Sequence, residues 1–168
     1  MCGIFAYKGY RKNAAEIVIK GLNRLEYRGY DSWGIAYKQG GKLSIYKQVG
    51  KIGEFDPKKL RHHRSINQRV VSSLAMGHSR WATHGGVTIA NAHPHCTEKN
   101  EIAVVHNGII ENFEKLKKGL LKRGHQFKSQ TDTEVVAHLI EENFKKKGLE
   151  ESVKEALKKI EGRYALLV

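Results

Sequence analysis

The spacing of apolar and polar residues divides the chain into a definite order of strand-like and helix-like segments. Residues 3–7 form a short apolar run that predicts a buried strand, and Asn13 with Glu16 three positions on predicts a capped helix start. Ala14, Ile17, Val18, Leu22 and Leu25 then recur at helical spacing, giving that helix one face to pack on a sheet. Residues 33–38 and 42–49 read as strands joined through Gln39-Gly40-Gly41, a hairpin signal. Asp56-Pro57 predicts a short helix to about His62, since proline fits a first helical turn. Residues 70–79 predict a strand entering the polar run 80–86, and residues 102–106 predict one that ends on Asn107-Gly108. Phe113, Leu116, Leu120 and Leu121 mark a helix closed by Gly124. Thr131 and Asp132 sit where caps belong, ahead of a helix carrying Val135, Val136, Leu139, Ile140 and Phe144. Val153, Leu157 and Ile160 mark a final helix, and residues 163–168 a last strand. Short turns and the absence of a strand-helix-strand series predict an α+β fold with largely antiparallel strands.

A length of 168 residues predicts one domain, 1–168. Two cysteines, no basic-then-apolar leader and no apolar run near ~18 residues predict a soluble cytoplasmic protein with no membrane segment. The formal charge of +13, from 30 Lys+Arg against 17 Asp+Glu, raises a nucleic-acid-binding reading. Its distribution argues for solvated helix faces instead: Lys115, Lys117, Lys118, Lys122 and Lys145 to Lys147 fall on such faces or ends, with no aromatics interleaved for base stacking. The nine histidines, among them His62, His63, His78, His84, His93, His95 beside Cys96, and His106, raise a metal-dependent hydrolase reading. No H-E-x-x-H or paired C-x-x-C spacing supports it, so these histidines are expected in core or loop positions, with no metal and no cofactor.

Cys2 carries the sharpest candidate chemistry. It directly follows Met1, a context in which the initiator is normally removed, leaving a thiol and an α-amine on one residue. A free thiol titrates near ~8.5 and an α-amine near ~7.7–8.0, so the amine can act as general base without another side chain. A cysteine that merely opens a buried strand is the competing reading.

Six blocks in fixed order favour the reactive reading: Cys2-Gly3-Ile4, LEYRGYDS (25–32), HSRWATHG (78–85), NAHPH (91–95), VHNGIIENF (105–113) and TDTE (131–134). Over essentially its whole length the sequence resembles the glutaminase domain of class II, N-terminal-nucleophile glutamine amidotransferases. The resemblance is closest to the branch whose full-length members aminate fructose 6-phosphate. It implies a four-layer αββα sandwich and hydrolysis of the glutamine side-chain amide through a Cys2 thioester. It further implies an oxyanion hole from the Asn107 side-chain amide and the Gly108 N–H, with Arg80 on the substrate α-carboxylate and Asp132 on its α-ammonium. Trp81, Thr83 and His84 are implied substrate contacts, and Arg28 a support near Cys2. The expected small-molecule partner is glutamine; nucleic acid and membrane are not expected, and self-association is left open. The family's sugar-isomerase domains and the C-terminal part of its glutaminase domain are expected to be missing here.

Overall fold

A computed structural model describes residues 2–53, 55–56, 59–60, 70–82 and 85–168. In chain order its elements are β1 (Gly3–Lys8), α1 (Ala14–Arg24), a 3₁₀ turn (Glu26–Arg28), β2 (Ser32–Gln39), β3 (Lys42–Val49), β4 (Leu74–Arg80), β5 (His95–Cys96), β6 (Ala103–Ile110), α2 (Phe113–Lys122), α3 (Glu134–Leu157) and β7 (Gly162–Leu167). They form two sheets, ordered β1-β4-β2-β3 and β5-β6-β7, and every strand pairing is antiparallel. The α+β expectation holds.

Two apolar cores explain the layers. Ala14, Val18, Ile19 and Leu22 of α1 pack on Trp33, Ile35, Tyr37 and Ala75, covering one face of the first sheet. Leu120 of α2 and Val135, Val136, Leu139 and Ile140 of α3 pack on Ile102, Val104 and Ile110, covering the second. Each Val, Leu or Ile side chain so removed from water contributes about 1.5–3 kcal/mol, which is why apolar periodicity predicts the packed faces. The sheets' other faces meet where β1 and β4 lie against β6. A Cβ on Gly34 would stand 2.4 Å from the His93 carbonyl oxygen, so a bare backbone is needed at that close approach. The result is the αββα layering.

Several boundaries differ from expectation. β4 begins at Leu74 because the preceding residues serve another crossing: the Ser72 N–H donates to the Lys12 carbonyl at 2.8 Å and its carbonyl accepts from Ala14 at 2.9 Å. β6 does not end at Asn107-Gly108 but continues to Ile110, since β7 pairs with it from Val105 to Ile110. Gly108 makes that continuation feasible. Its φ is 128°, and a Cβ there would lie 2.1 Å from the Arg163 carbonyl oxygen. The two helices expected after residue 131 form one assigned span broken at Gly148, where φ 73° and ψ 178° are not helical. Neither Asn13 nor any side chain at the start of α3 caps a backbone N–H; Asn13 donates to the Glu16 carboxylate at 3.2 Å instead. The helix predicted from Asp56 falls largely outside the described residues. Among the described residues, no helix is long and apolar enough to cross a membrane.

Candidate active site

The antiparallel register of β1 and β4 pairs Gly3 with Ser79. Cys2 therefore arrives beside the end of β4, where the Trp81 N–H donates to its Sγ at 3.2 Å and the Trp81 carbonyl lies 3.6 Å away. Strand alternation directs His78 and Arg80 to one face and Asn107 toward it from β6. The Asn107 Nδ2 donates to the Cys2 carbonyl at 3.1 Å, while its Oδ1 lies 2.9 Å from His78 Nε2. That same Nε2 is 3.1 Å from the His106 carbonyl. Both neighbours of Nε2 are acceptors, so Nε2 must carry the hydrogen and the Asn107 amide is fixed with its nitrogen toward Cys2. Burial pushes His78 down to about 4, outweighing the hydrogen bonds to Asn107 and His106 that favour its charged form. The ring is neutral near pH 7, as its unpartnered buried Nδ1 also requires.

Cys2, Arg80, Trp81, Asn107, Gly108 and Asp132 line one small cleft. Arg80, only 3 % exposed, donates from Nη1 to the Gly86 carbonyl and from Nη2 to the Gly85 carbonyl, each at 3.2 Å. Asp132 is 6 % exposed, and its Oδ2 accepts the Ile110 N–H at 2.8 Å. The expectation of a helix cap at Asp132 is thus replaced by a tie to β6. Trp81 forms an exposed wall, with its ring edge-on to Tyr30 at 5.4 Å. Arg28 lines a neighbouring cavity together with Cys2, Leu25 and Asn107. Thr83 and His84 lie outside the described residues.

Sequence reasoning missed the groups that hold this arrangement. The Asp31 carboxylate accepts the Ala82 N–H through Oδ2 and the Ser32 hydroxyl at 2.7 Å through Oδ1, fastening the segment that bears Trp81. Ser129 donates its hydroxyl to Glu134 at 2.6 Å, so Thr131, 3.0 Å from Ser129, must donate to it and accept from His95 Nε2 at 2.9 Å. Thr131 is therefore a link in a directed chain and not a cap. Burial would raise the Glu134 carboxyl, but the nearby His138 ring and hydrogen bonds from Lys128 and Ser129 hold it at about 2. Thr133 bridges His93 and His106 at 2.9 Å each. Among the described residues, His78, His93, His95 and His106 form no group able to share an ion. Burial pushes the Cys96 thiol up to about 12, with Lys47 and Lys128 opposing. Asp31, Thr131, Thr133 and Glu134 lie in those same blocks and Ser129 just ahead of one, but composition could not say which polar residue faces which.

Two antiparallel sheets packed face to face and covered by helices, with Cys2 at a polar cleft between them, form the N-terminal-nucleophile amidohydrolase fold. The chain belongs to the glutamine amidotransferase domain family, whose model matches residues 78–168. Such domains are enzymes that take ammonia from the side-chain amide of glutamine. The chain is 52% identical to a glutamine–fructose-6-phosphate aminotransferase (isomerizing) of Pyrococcus horikoshii, with 100% of this chain and 27% of that protein covered. The Aquifex aeolicus protein of the same name is 50% identical, again with 100% and 27% covered. The chain thus spans about a quarter of the length of these relatives. Among solved structures, the glutamine phosphoribosylpyrophosphate amidotransferase of B. subtilis in complex with ADP and GMP superposes with a TM-score of 0.77 at 32% identity, covering 99% of this chain and 34% of that one. An allosteric regulatory enzyme of purine biosynthesis superposes with a TM-score of 0.80 at 33% identity, covering 99% and 35%.

Proposed function

We propose that Cys2 is the nucleophile of a glutaminase reaction, and that in a longer protein the ammonia released is passed to fructose 6-phosphate. Removal of Met1 frees the Cys2 α-amine, which takes the thiol proton as Sγ attacks the carboxamide carbon of glutamine. The carbonyl oxygen becomes an oxyanion, received by Asn107 Nδ2 and the Gly108 N–H; one such donor is worth roughly 3–4 kcal/mol in the transition state. The ammonium returns its proton to the departing nitrogen, the C–N bond breaks, and ammonia leaves a thioester on Sγ. Water adds to that thioester, with the same amine as base, and glutamate is released. Arg80 grips the α-carboxylate with its planar fork, Asp132 pairs with the α-ammonium, and Trp81, Thr83 and His84 contact the substrate. Arg28 supports the Cys2 end without exchanging protons.

The observation that carries this reading is the gathering of Cys2, Asn107, Arg80 and Asp132 at one cleft, with the cation and the anion both buried. A buried cation and a buried anion lining one cleft match the α-carboxylate and α-ammonium of a zwitterionic amino acid. Two unpaired cysteines suit a cytoplasmic setting. Homo-oligomerisation is compatible with this reading. Nothing in the cleft favours the nucleic-acid reading, and Lys115, Lys118 and Lys122 are exposed on α2.

The deciding experiment combines intact mass with steady-state glutaminase kinetics. Active protein should lack Met1, Cys2→Ala should be inactive yet still bind glutamine, and Arg80→Lys and Asp132→Asn should each raise KM. Full activity in a sample that retains Met1, or unchanged KM in both binding variants, overturns the assignment.

A further inference from the structure

The joint between α2 and α3 holds a second cluster of ligating side chains, outside the cleft. Gly124, with φ 93°, ends α2 and turns the chain, and the His125 N–H bonds back to the Leu120 carbonyl at 3.1 Å. His138 and Glu141 stand three apart on α3, so both face the same side of that helix. His125 Nδ1 is 3.2 Å from His138 Nδ1, His138 Nδ1 is 3.4 Å from Glu141 Oε2, and Glu141 Oε2 is 3.5 Å from His125 Nδ1.

We propose that His125, His138 and Glu141 bind one divalent transition-metal ion of the zinc kind. Zinc bonds of about 2.0–2.1 Å in a tetrahedron place neighbouring ligand atoms about 3.3–3.4 Å apart. The observed edges, 3.2, 3.4 and 3.5 Å, bracket that spacing closely, and a fourth position stays open to water. Two imidazoles with one carboxylate suit zinc, cobalt or nickel, whereas magnesium and calcium favour all-oxygen sets.

The surroundings repeat the pattern expected behind metal-bound imidazoles. Each ring turns Nδ1 inward and Nε2 toward a carboxylate: Glu134 Oε1 lies 3.8 Å from His138 Nε2, and Glu142 Oε1 lies 3.6 Å from His125 Nε2. Drawn in to hydrogen-bond distance on metal binding, such outer carboxylates orient the ring and raise its basicity. His138 Nε2 is buried without a hydrogen-bond partner. The Phe127 ring walls the site at 4.6 Å from the His138 ring, while His125 and Glu141 side chains retain 15% and 24% exposure, enough for entry. Without an ion, the two Nδ1 atoms can share only one hydrogen, so a plain hydrogen-bonded cluster is the competing state. Glu134 also anchors Lys128 and Ser129, so an ion here would brace the segment that leads to Asp132.

The test uses the whole chain, stripped with a chelator and titrated with Zn²⁺ or Mg²⁺ against a chromophoric competitor, with thermal unfolding followed in parallel. One equivalent of Zn²⁺ should bind and raise Tm, Mg²⁺ should do neither, and Co²⁺ should give the visible spectrum of a tetrahedral nitrogen and oxygen site. Glu142→Gln should weaken binding about 10-fold or more, and His125→Ala and Glu141→Gln should weaken it further. Both ligand variants alter partly exposed side chains and should keep the wild-type circular dichroism. Cys2→Ala should bind as wild type. Zinc binding that survives His125→Ala, or that is lost in Cys2→Ala, places the ion elsewhere and overturns the proposal. The lack of any stoichiometric binding also overturns it and leaves the hydrogen-bonded cluster.

Discussion

His78 tests whether the Asn107 amide is oriented or merely present. Its Nε2–H holds Asn107 Oδ1 at 2.9 Å, and the same amide's Nδ2 faces the Cys2 backbone at 3.1 Å. A hydrogen bond of this sort contributes about 0.5–1.5 kcal/mol net, so removing the donor shifts the balance between the two amide orientations by a factor of about 2–12. Deleting the amide altogether costs about 100- to 1000-fold in kcat, the scale for a lost oxyanion donor. His78→Met, which fills a similar space without a donor, should therefore lower kcat by about 2–12-fold with KM nearly unchanged. Asn107→Ala should fall on the larger scale, and His78→Gln, which retains an N–H donor, should recover most of the loss. The assay is glutamate release at saturating glutamine, normalised to folded protein from urea titration, because His78 is fully buried and its replacement will also affect stability. Since His78 is held at about 4, the wild-type kcat profile should show no titration of this ring above pH ~5. A His78→Met loss as large as that of Asn107→Ala would refute the positioning argument and place His78 in the chemistry; no loss at all would show that the amide needs no guide.

Gly108→Ala should destabilise the fold by about 2 kcal/mol or more and abolish activity, because φ 128° and the Arg163 carbonyl at 2.1 Å both exclude a Cβ; near-wild-type urea midpoints would contradict this. A glutamine-like electrophile should label Cys2 and leave Cys96 untouched in the folded protein, since the Cys96 thiol is pushed up to about 12; peptide mapping that finds modified Cys96 would disprove it. Stability should fall on acidification, because burial lowers His78 to about 4 and His95 to about 3 and also lowers His93 and His106. The sign follows from the unfolded chain binding these protons first. The stabilisation is complete above pH ~6.5 and is lost progressively toward pH ~4, amounting to about 3 kcal/mol for His78 alone. Equal urea midpoints at pH 7 and pH 5 would refute it.

The apolar periodicities were legible because each core side chain answers to a single local rule: Trp33, Ile35 and Tyr37 alternate along β2, and Val136, Leu139 and Ile140 share one face of α3. The candidate site was legible as blocks, because Cys2, Arg80, Asn107 and Asp132 are each chemically distinctive, and the fold brings all four to one cleft. Their partners were not. Asp132 and Thr131 sit where caps belong in the sequence, yet the Ile110 N–H and the His95 ring, 22 and 36 positions away, take their side chains instead. A local cap contributes about 1 kcal/mol, whereas leaving a buried N–H or imidazole unpaired costs about 1–3 kcal/mol, so the distant groups win the competition. The same inequality governs the strand that failed to stop at Asn107-Gly108. Ending β6 there would leave its ladder with β7 unpaired from Ile109 onward, and the only obstacle to continuing is steric, which a glycine removes. Asn-Gly therefore marks a place where the chain accommodates a close neighbour while turning one amide toward Cys2, and a sequence alone cannot tell that from a turn. Long-range polar satisfaction, not local propensity, decides where the polar side chains of this cleft point.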